Sequence, residues 1–393
     1  MPLEEVAEAV QQAISDRHAI TNRDAIRRLS RTYALSREWI SALAGGRSLE
    51  RFLARSRSVV SGTCVGIGRR TLRVDEAPFD LVVIDEAAKC TAGELAIGMQ
   101  VGRRILLVGD HKQLPPFAKR EHVQALRARF GDSAPAVAET DFERAFSSEY
   151  GKVMGLSLTS QYRMAPSIGA LVSSCFYPDS PLETKRPEPP PYYEHLNAPL
   201  DHEITWLDTS DMGAMALETP DGPSRSNQAE AFTIIRLLRV ISESDAFWTC
   251  YDEDRDAPEV PIGVIAMYGA QKTLLSQQLV TSGLSARFQK RVTIDTVDSY
   301  QGKENPIVIV SLVRNNARGD MGHVQDLRRI NVALSRAMER LVLVGASAFV
   351  ARQPADNPLA QVLAYMKALP ALNARLKAAS QSFTSGGAQR ATA

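Results

Sequence analysis

Residues 79–90 read FDLVVIDEAAKC. A short apolar run ends in two adjacent acids, and two alanines follow where a surface loop ordinarily carries polar residues. A continuous β-branched run without alternation predicts a strand buried on both faces, as parallel sheets covered by helices require. Such a strand delivers its last residues to the rim where open α/β folds bind ligands. The stretch therefore points to an α/β protein with Asp85 and Glu86 on a ligand-facing edge, and Ala87 and Ala88 leaving room beside it. Taken alone, acids at a helix N-terminus account for the same pattern.

Similar runs recur along the chain. SRSVVSGT (56–63) and RRILLVGD (103–110) accompany the opening stretch; EITWLD, IGVIAM, RVTIDT, PIVIVSLV and RLVLVG follow after residue 200. They predict two α/β layers dividing near residue 156. Residues 1–56 carry helical periodicity instead, with Val6, Val10, Ala13 and Ile14 on one face, until Gly45-Gly46 breaks the pattern. RPEPPPYYEHLNAPLD (186–201) is a proline-rich loop that cannot donate ladder hydrogen bonds. The expected division is a helical segment at 1–56, a first domain at 57–155, a second at 156–369 and a disordered tail at 370–393.

With 393 residues, 44% of them hydrophobic and 23% charged, the chain has room for two or three domains with real cores. Cys64, Cys90, Cys175 and Cys250 stand far apart, with no CxxC pair, so reduced thiols and a cytoplasmic setting are expected. The N-terminal residues lack a basic region followed by an apolar core, and no window of about 18 apolar residues occurs. The expected chain is neither secreted nor membrane-spanning. With 46 Lys and Arg against 45 Asp and Glu, any nucleic-acid contact must come from a local basic surface.

Further stretches carry candidate chemistry. GDHKQLPP (109–116) ends a strand in Gly109, Asp110 and Gln113, an amide able to sense a phosphate or its water. LTSQYRMAP (158–166) sets Tyr162, which can stack on a base, beside Arg163, which can neutralise a phosphoryl group. A surface ion pair is the plainer reading of Arg163. TVDSYQGKE (296–304) is a polar loop around Gly302 between two strands. In RRINVALSRAMERLVLVG (328–345) a helix would place Asn331, Ser335 and Met338 on one face with Arg336 beside them.

Together, TCVGIG, DEAA, GDHKQLPP, QYRM, TVDSYQGKE and NVALSRA stand in an order and spacing that resemble a superfamily 1 helicase of the up-frameshift-like group. The resemblance covers roughly residues 57–346 and extends to FYPD (176–179), SRSNQAEA (224–231) and IGVIAMYGAQ (262–271). It implies two RecA-like parallel-sheet domains with ATP hydrolysed at their interface and movement along single-stranded RNA or DNA. By resemblance, Asp85 binds Mg²⁺ and Glu86 activates water. Gln113 couples the terminal phosphate to domain movement, and Arg163 and Arg336 are arginine fingers. Tyr162 stacks on the adenine, Gly302 and Glu304 line the nucleotide near the ribose, and Thr63, Thr296 and Ser299 touch the nucleic-acid backbone.

One element of such an enzyme is missing from these residues. GxxxxGK[ST], the loop that cradles the β and γ phosphates, does not occur; Gly-Lys stands only at 151–152 and 302–303. The expectation is an incomplete first domain, the carboxyl-terminal part of an ATP-dependent helicase that needs a P-loop-bearing N-terminal half, with Met1 an internal start. A catalytically silent module that binds nucleic acid or a partner is the alternative, and a nucleotide switch without strand contact a third.

Overall fold

A computed structural model describes residues 22–44, 57–69, 79–116, 140–368 and 374–380, with isolated positions at 9, 12–14, 16–18, 72, 125, 128, 129 and 382. The chain divides into two compact units. The first holds residues 1–110 and 115–147, the second 111–114 and 148–393, so the division falls at Ser147 rather than near 156. Among the described residues twelve strands are numbered in chain order: β1 Val82–Ile84, β2 Ile105–Leu107, β3 Ser160–Gln161, β4 Glu183–Thr184, β5 Ile204–Asp208, β6 Thr219–Asp221, β7 Ser224–Ser226, β8 Ile262–Ala266, β9 Val292–Thr296, β10 Asn305–Ser311, β11 Ala337–Gly345 and β12 Ala374–Ala378.

In the first unit β1 and β2 pair in parallel, Val83 opposite Leu106. One face packs through Ile84 on Leu95, Ala87, Ala88 and Phe142. The other leaves Leu81, Val83, Leu106 and Val108 between 38% and 54% exposed. The expectation of burial on both faces is thus corrected here: helix Ala92–Met99 covers one side of the ribbon only. The strand expected at 56–63 is also corrected. Residues 57–63 make no ladder, and the hydroxyl of Thr63 instead starts the short helix Cys64–Ile67 by accepting from the Gly66 amide. Helix Arg23–Ala44 lies in the segment expected to be helical; residues 45–56 fall outside the described residues.

The second unit is built on a six-stranded parallel sheet in the order β12-β5-β11-β10-β8-β9. Its central strands β8, β10 and β11 carry the apolar stretches IGVIA, IVIV and LVLV because both faces are covered. Val308, Val310, Leu341, Leu343 and Trp206 face one core with helices Pro166–Phe176 and Pro358–Ala368. Ile307, Ile309, Val342, Val344 and Val264 face the other with helices Gln228–Ser242 and Asp245–Glu253. This is the parallel α/β architecture expected of a RecA-like domain.

Two expectations change in this unit. The tail foreseen from residue 370 contains β12, which pairs with β5 at the sheet edge. ARLKA has no apolar run, yet an edge strand needs a ladder on one side only, and Arg375 and Lys377 reach Asp201 at 3.2 and 3.3 Å. Residues 383–393 lie outside the described residues. Helix Leu327–Leu334 stops before Ser335, so Met338 belongs to β11 and not to the helical face foreseen for it.

Candidate active site

In the first unit, Asp85 and Glu86 follow β1 directly and both are exposed. Asp85 Oδ1 accepts the Glu86 amide at 2.9 Å. Glu86 itself adopts φ 54°, ψ 33°, a left-handed conformation that turns the chain sharply off the strand. Non-glycine residues pay a steric penalty in this region and are found there mostly at turns and functional sites. Ala87 and Ala88 are buried, and a Cβ on Gly109 would lie 2.8 Å from the Ala88 nitrogen. Their small size therefore serves the close packing of the β1 turn on the end of β2, a correction to the reading that they leave room for a ligand. Thr63 is exposed, its hydroxyl engaged as a helix cap.

Magnesium prefers hard oxygen ligands and commonly takes only one or two carboxylates from the protein. Among the described residues no group of three or more His, Cys, Asp and Glu side chains stands ready to hold a metal. Exposed Asp85 at the strand end fits the single-carboxylate case.

In the second unit, residues distant in sequence converge. Arg336 is 2% exposed. Its Nε donates to Val332 O at 3.1 Å, and Nη2 to Gln113 Oε1 and to Ser335 Oγ at 3.3 Å each. Arg163 pairs with Glu304 and donates from Nη1 to Ser335 O at 3.4 Å. Gln113, Arg163, Glu304 and Arg336 thus form one connected group. Gly302, beside Glu304, takes φ 81° with open space around its Cβ position, so the turn and not a close contact calls for glycine. Tyr162 is 71% exposed.

The QYRM turn is fixed by Gln161, whose role carried no sequence assignment. Its Oε1 accepts the Arg163 and Met164 amides at 3.0 and 2.8 Å, and its Nε2 donates to Met164 O and Thr184 Oγ1. Arg186 was missed altogether, lying in a proline-rich stretch without a motif. It donates to the Arg163 carbonyl and pairs with Glu339, which is buried in β11. Burial pushes the Glu339 carboxyl above the usual range against the pull of Arg186 and Arg340.

Thr296 closes β9 and its hydroxyl meets Ser299 Oγ at 3.3 Å. Beside them Asp295 takes Lys272 at 2.8 Å and Lys303 at 3.1 Å. Burial alone would raise the Asp295 carboxyl, but hydrogen bonds from both lysines and the Thr296 amide outweigh it and hold the group below its ordinary value. Lys272 and Lys303 stand in the YGAQK and QGKE stretches and had no role from sequence. Both lysines are paired with Asp295 at the start of the Thr296 loop. Asn331, expected to face a cleft, is buried and donates to Lys112 O and Tyr177 Oη at 2.9 and 2.8 Å.

Comparison with known proteins supplies the family. An AAA domain model matches residues 137–348, over half of the chain, and a second AAA domain model matches residues 4–121. The chain is 28% identical over 302 residues to the ATP-dependent helicase upf1 of Schizosaccharomyces pombe, covering 75% of this chain and 29% of that protein. It is 30% identical over 328 residues to a Regulator of nonsense transcripts 1 homolog of Arabidopsis thaliana, covering 80% and 23%. With the DNA replication ATP-dependent helicase/nuclease DNA2 of Mus musculus it shares 29% identity over 326 residues, covering 77% and 28%. The chain spans less than a third of the length of these curated relatives. It belongs to the AAA domain family, among the superfamily 1 helicases of the up-frameshift-like group.

Proposed function

We propose that the chain forms part of an ATP-dependent helicase or translocase that acts on single-stranded RNA or DNA in the cytoplasm. The observation that carries this reading is the convergence of Gln113, Arg163, Glu304 and Arg336 in the second unit. Four polar residues drawn from four separated sequence motifs share one hydrogen-bonded group, as a site for a polyphosphate needs.

In this reading Glu86 polarises the attacking water and Gln113 reports the state of the terminal phosphate. Arg163 and Arg336 neutralise charge developing on the phosphoryl group, a contribution of about 10³–10⁵ in rate for arginine fingers. Asp85 holds Mg²⁺, which when bound offsets phosphate charge. Tyr162 offers its exposed ring to the adenine, and Gly302 shapes the turn that presents Glu304 to the ribose. Thr63, Thr296 and Ser299 bond the nucleic-acid backbone, with Lys272 and Lys303 adding charge. A segment carrying GxxxxGK[ST] completes the phosphate cradle, and the exposed apolar side of β1 and β2 supports such a completion because parallel sheets are ordinarily covered on both faces. The absence of that loop from these residues equally favours a second reading, a silent module that binds strands without turnover.

The test is ATP hydrolysis by the purified chain, alone and extended by a GxxxxGK[ST]-bearing segment, with and without single strands, beside a Glu86→Gln control. Strand-stimulated turnover in the extended form only, lost in the control, is expected. Turnover by the chain alone that the control abolishes would overturn the need for an added segment. Salt-sensitive strand binding with no turnover in either form would establish the silent module.

A further inference from the structure

The first unit holds a pair of thiols that the proposed activity does not use. Cys64 opens the helix Cys64–Ile67, directly after Thr63. Cys90 follows the turn Ala87–Lys89 and precedes Thr91, which caps helix Ala92–Met99. The two lie 26 residues apart in sequence, yet both pack on the small core of Ile84, Ala87, Ala88, Leu95 and Phe142. Both side chains pack against that core, and the Cys90 thiol donates to the Glu86 carbonyl at 3.8 Å. Both are half-buried, so a small reagent can reach them, whereas Cys175 is buried in the second unit.

We propose that Cys64 and Cys90 are a modification site, a dithiol that closes reversibly to an intramolecular disulfide on reaction with a small disulfide such as oxidised glutathione. Cys64 loses its proton to solvent and its thiolate attacks one sulfur of the glutathione disulfide. A mixed disulfide forms and one glutathione thiolate leaves and takes up a proton. Cys90 then gives up its proton and attacks the Cys64 sulfur, expelling the second glutathione thiolate. Two protein thiols are oxidised and one glutathione disulfide is reduced to two thiols.

The order follows from the surroundings. Burial first, and the Cys64 thiol next to it, push Cys90 up to about 11, which disfavours it as the first attacking thiolate.

Closure ties the start of the helix behind Thr63 to the end of the turn that carries Glu86. On the reading above, those segments touch nucleic acid and activate water, so the cross-link would restrain both. That consequence rests on the proposed function; the disulfide itself does not.

The experiment incubates the full chain in glutathione buffers from fully reduced to fully oxidised, quenches by alkylation, and maps disulfide-linked peptides by mass spectrometry. A Cys64–Cys90 linked peptide that dithiothreitol removes is expected. In Cys90→Ser it is replaced by a glutathione adduct on Cys64, and in Cys64→Ser an adduct on Cys90 forms more slowly. Adducts or free thiols at both positions in the unsubstituted chain, across the whole series, would overturn the proposal. Single-strand binding of the oxidised and reduced forms is measured in parallel. A linked peptide formed without any change in binding leaves the disulfide standing and counts against the strand role given to Thr63.

Discussion

The guanidinium of Arg163 donates to the main-chain carbonyl of Ser335 at 3.4 Å, one residue before Arg336. The two arginines expected to serve one phosphate are therefore linked through the backbone of the second unit. They differ sharply in burial: Arg336 is 2% exposed, while the Arg163 side chain is 38% exposed.

That difference separates stability from activity. Arg336→Ala removes donors to Val332 O and Gln113 Oε1 from a buried position, and should cost about 2–4 kcal/mol. Arg163→Ala breaks a partly exposed pair and should cost under about 1 kcal/mol. Urea melts at fixed pH test this; equal midpoints for the two variants would contradict the assigned burial. On the proposed function both variants lose turnover, so Arg163→Ala is the cleaner probe of chemistry.

Glu230 is fully buried in helix Gln228–Ser242, where Ser311 Oγ and the Val313 amide donate to its carboxyl. Burial pushes its pKa up to about 8, against the pull of those donors. The folded state then holds a proton that the unfolded chain, near an ordinary glutamate value of about 4.3, releases. Stability from this group is full below the unfolded value and is lost as pH rises toward 8. Glu230→Gln mimics the protonated form. Denaturant midpoints at pH 6 and pH 9 should fall more in the parent than in this variant. A parallel decline in both would remove Glu230 as the cause.

Gly302 and Gly322 share a left-handed backbone, φ 81° and 52°, but not their surroundings. A Cβ at Gly302 meets open space, so Gly302→Ala should carry only the backbone penalty of about 1–2 kcal/mol. At Gly322 a Cβ runs into the Tyr268 hydroxyl and the Arg314 guanidinium, the latter only 5% exposed and ion-paired with Glu218 and Asp320. Gly322→Ala should be the more destabilising of the two by thermal melting.

The strands of the second unit were legible because β8, β10 and β11 carry the short apolar stretches IGVIA, IVIV and LVLV, as strands of a sheet covered on both sides require. β12 was not, because its place is fixed by backbone pairing and by Asp201, and neither leaves an apolar signature. The expected site positions Gln113, Arg163, Glu304 and Arg336 came from motif resemblance, and their mutual contacts add geometry that motifs do not encode. Gln161 had a signal, its place inside QYRM. Arg186 had none, since a lone arginine before a proline run reads as surface until the fold brings it to Glu339.

That last pair yields the sharpest test of how the QYRM turn is held. The Glu339 side chain is 4% exposed, with Arg186 on one carboxylate oxygen, and Arg186 also donates to the Arg163 carbonyl. The Ala165 amide donates to Met338 O at 2.7 Å, so the start of β11 clasps the turn through side chain and backbone together. Arg186→Ala strands a buried carboxylate and should cost about 3–5 kcal/mol. Adding Glu339→Gln removes the unpaired charge and should restore part of that loss, a coupling that a double-mutant cycle in urea reads directly. Arg186→Lys keeps the charge but lacks the planar fork that serves two acceptors at once, so it should fall between the parent and Arg186→Ala. If the two single substitutions simply add, Arg186 and Glu339 do not act as a pair, and Arg186 holds the turn only through its bond to the Arg163 carbonyl.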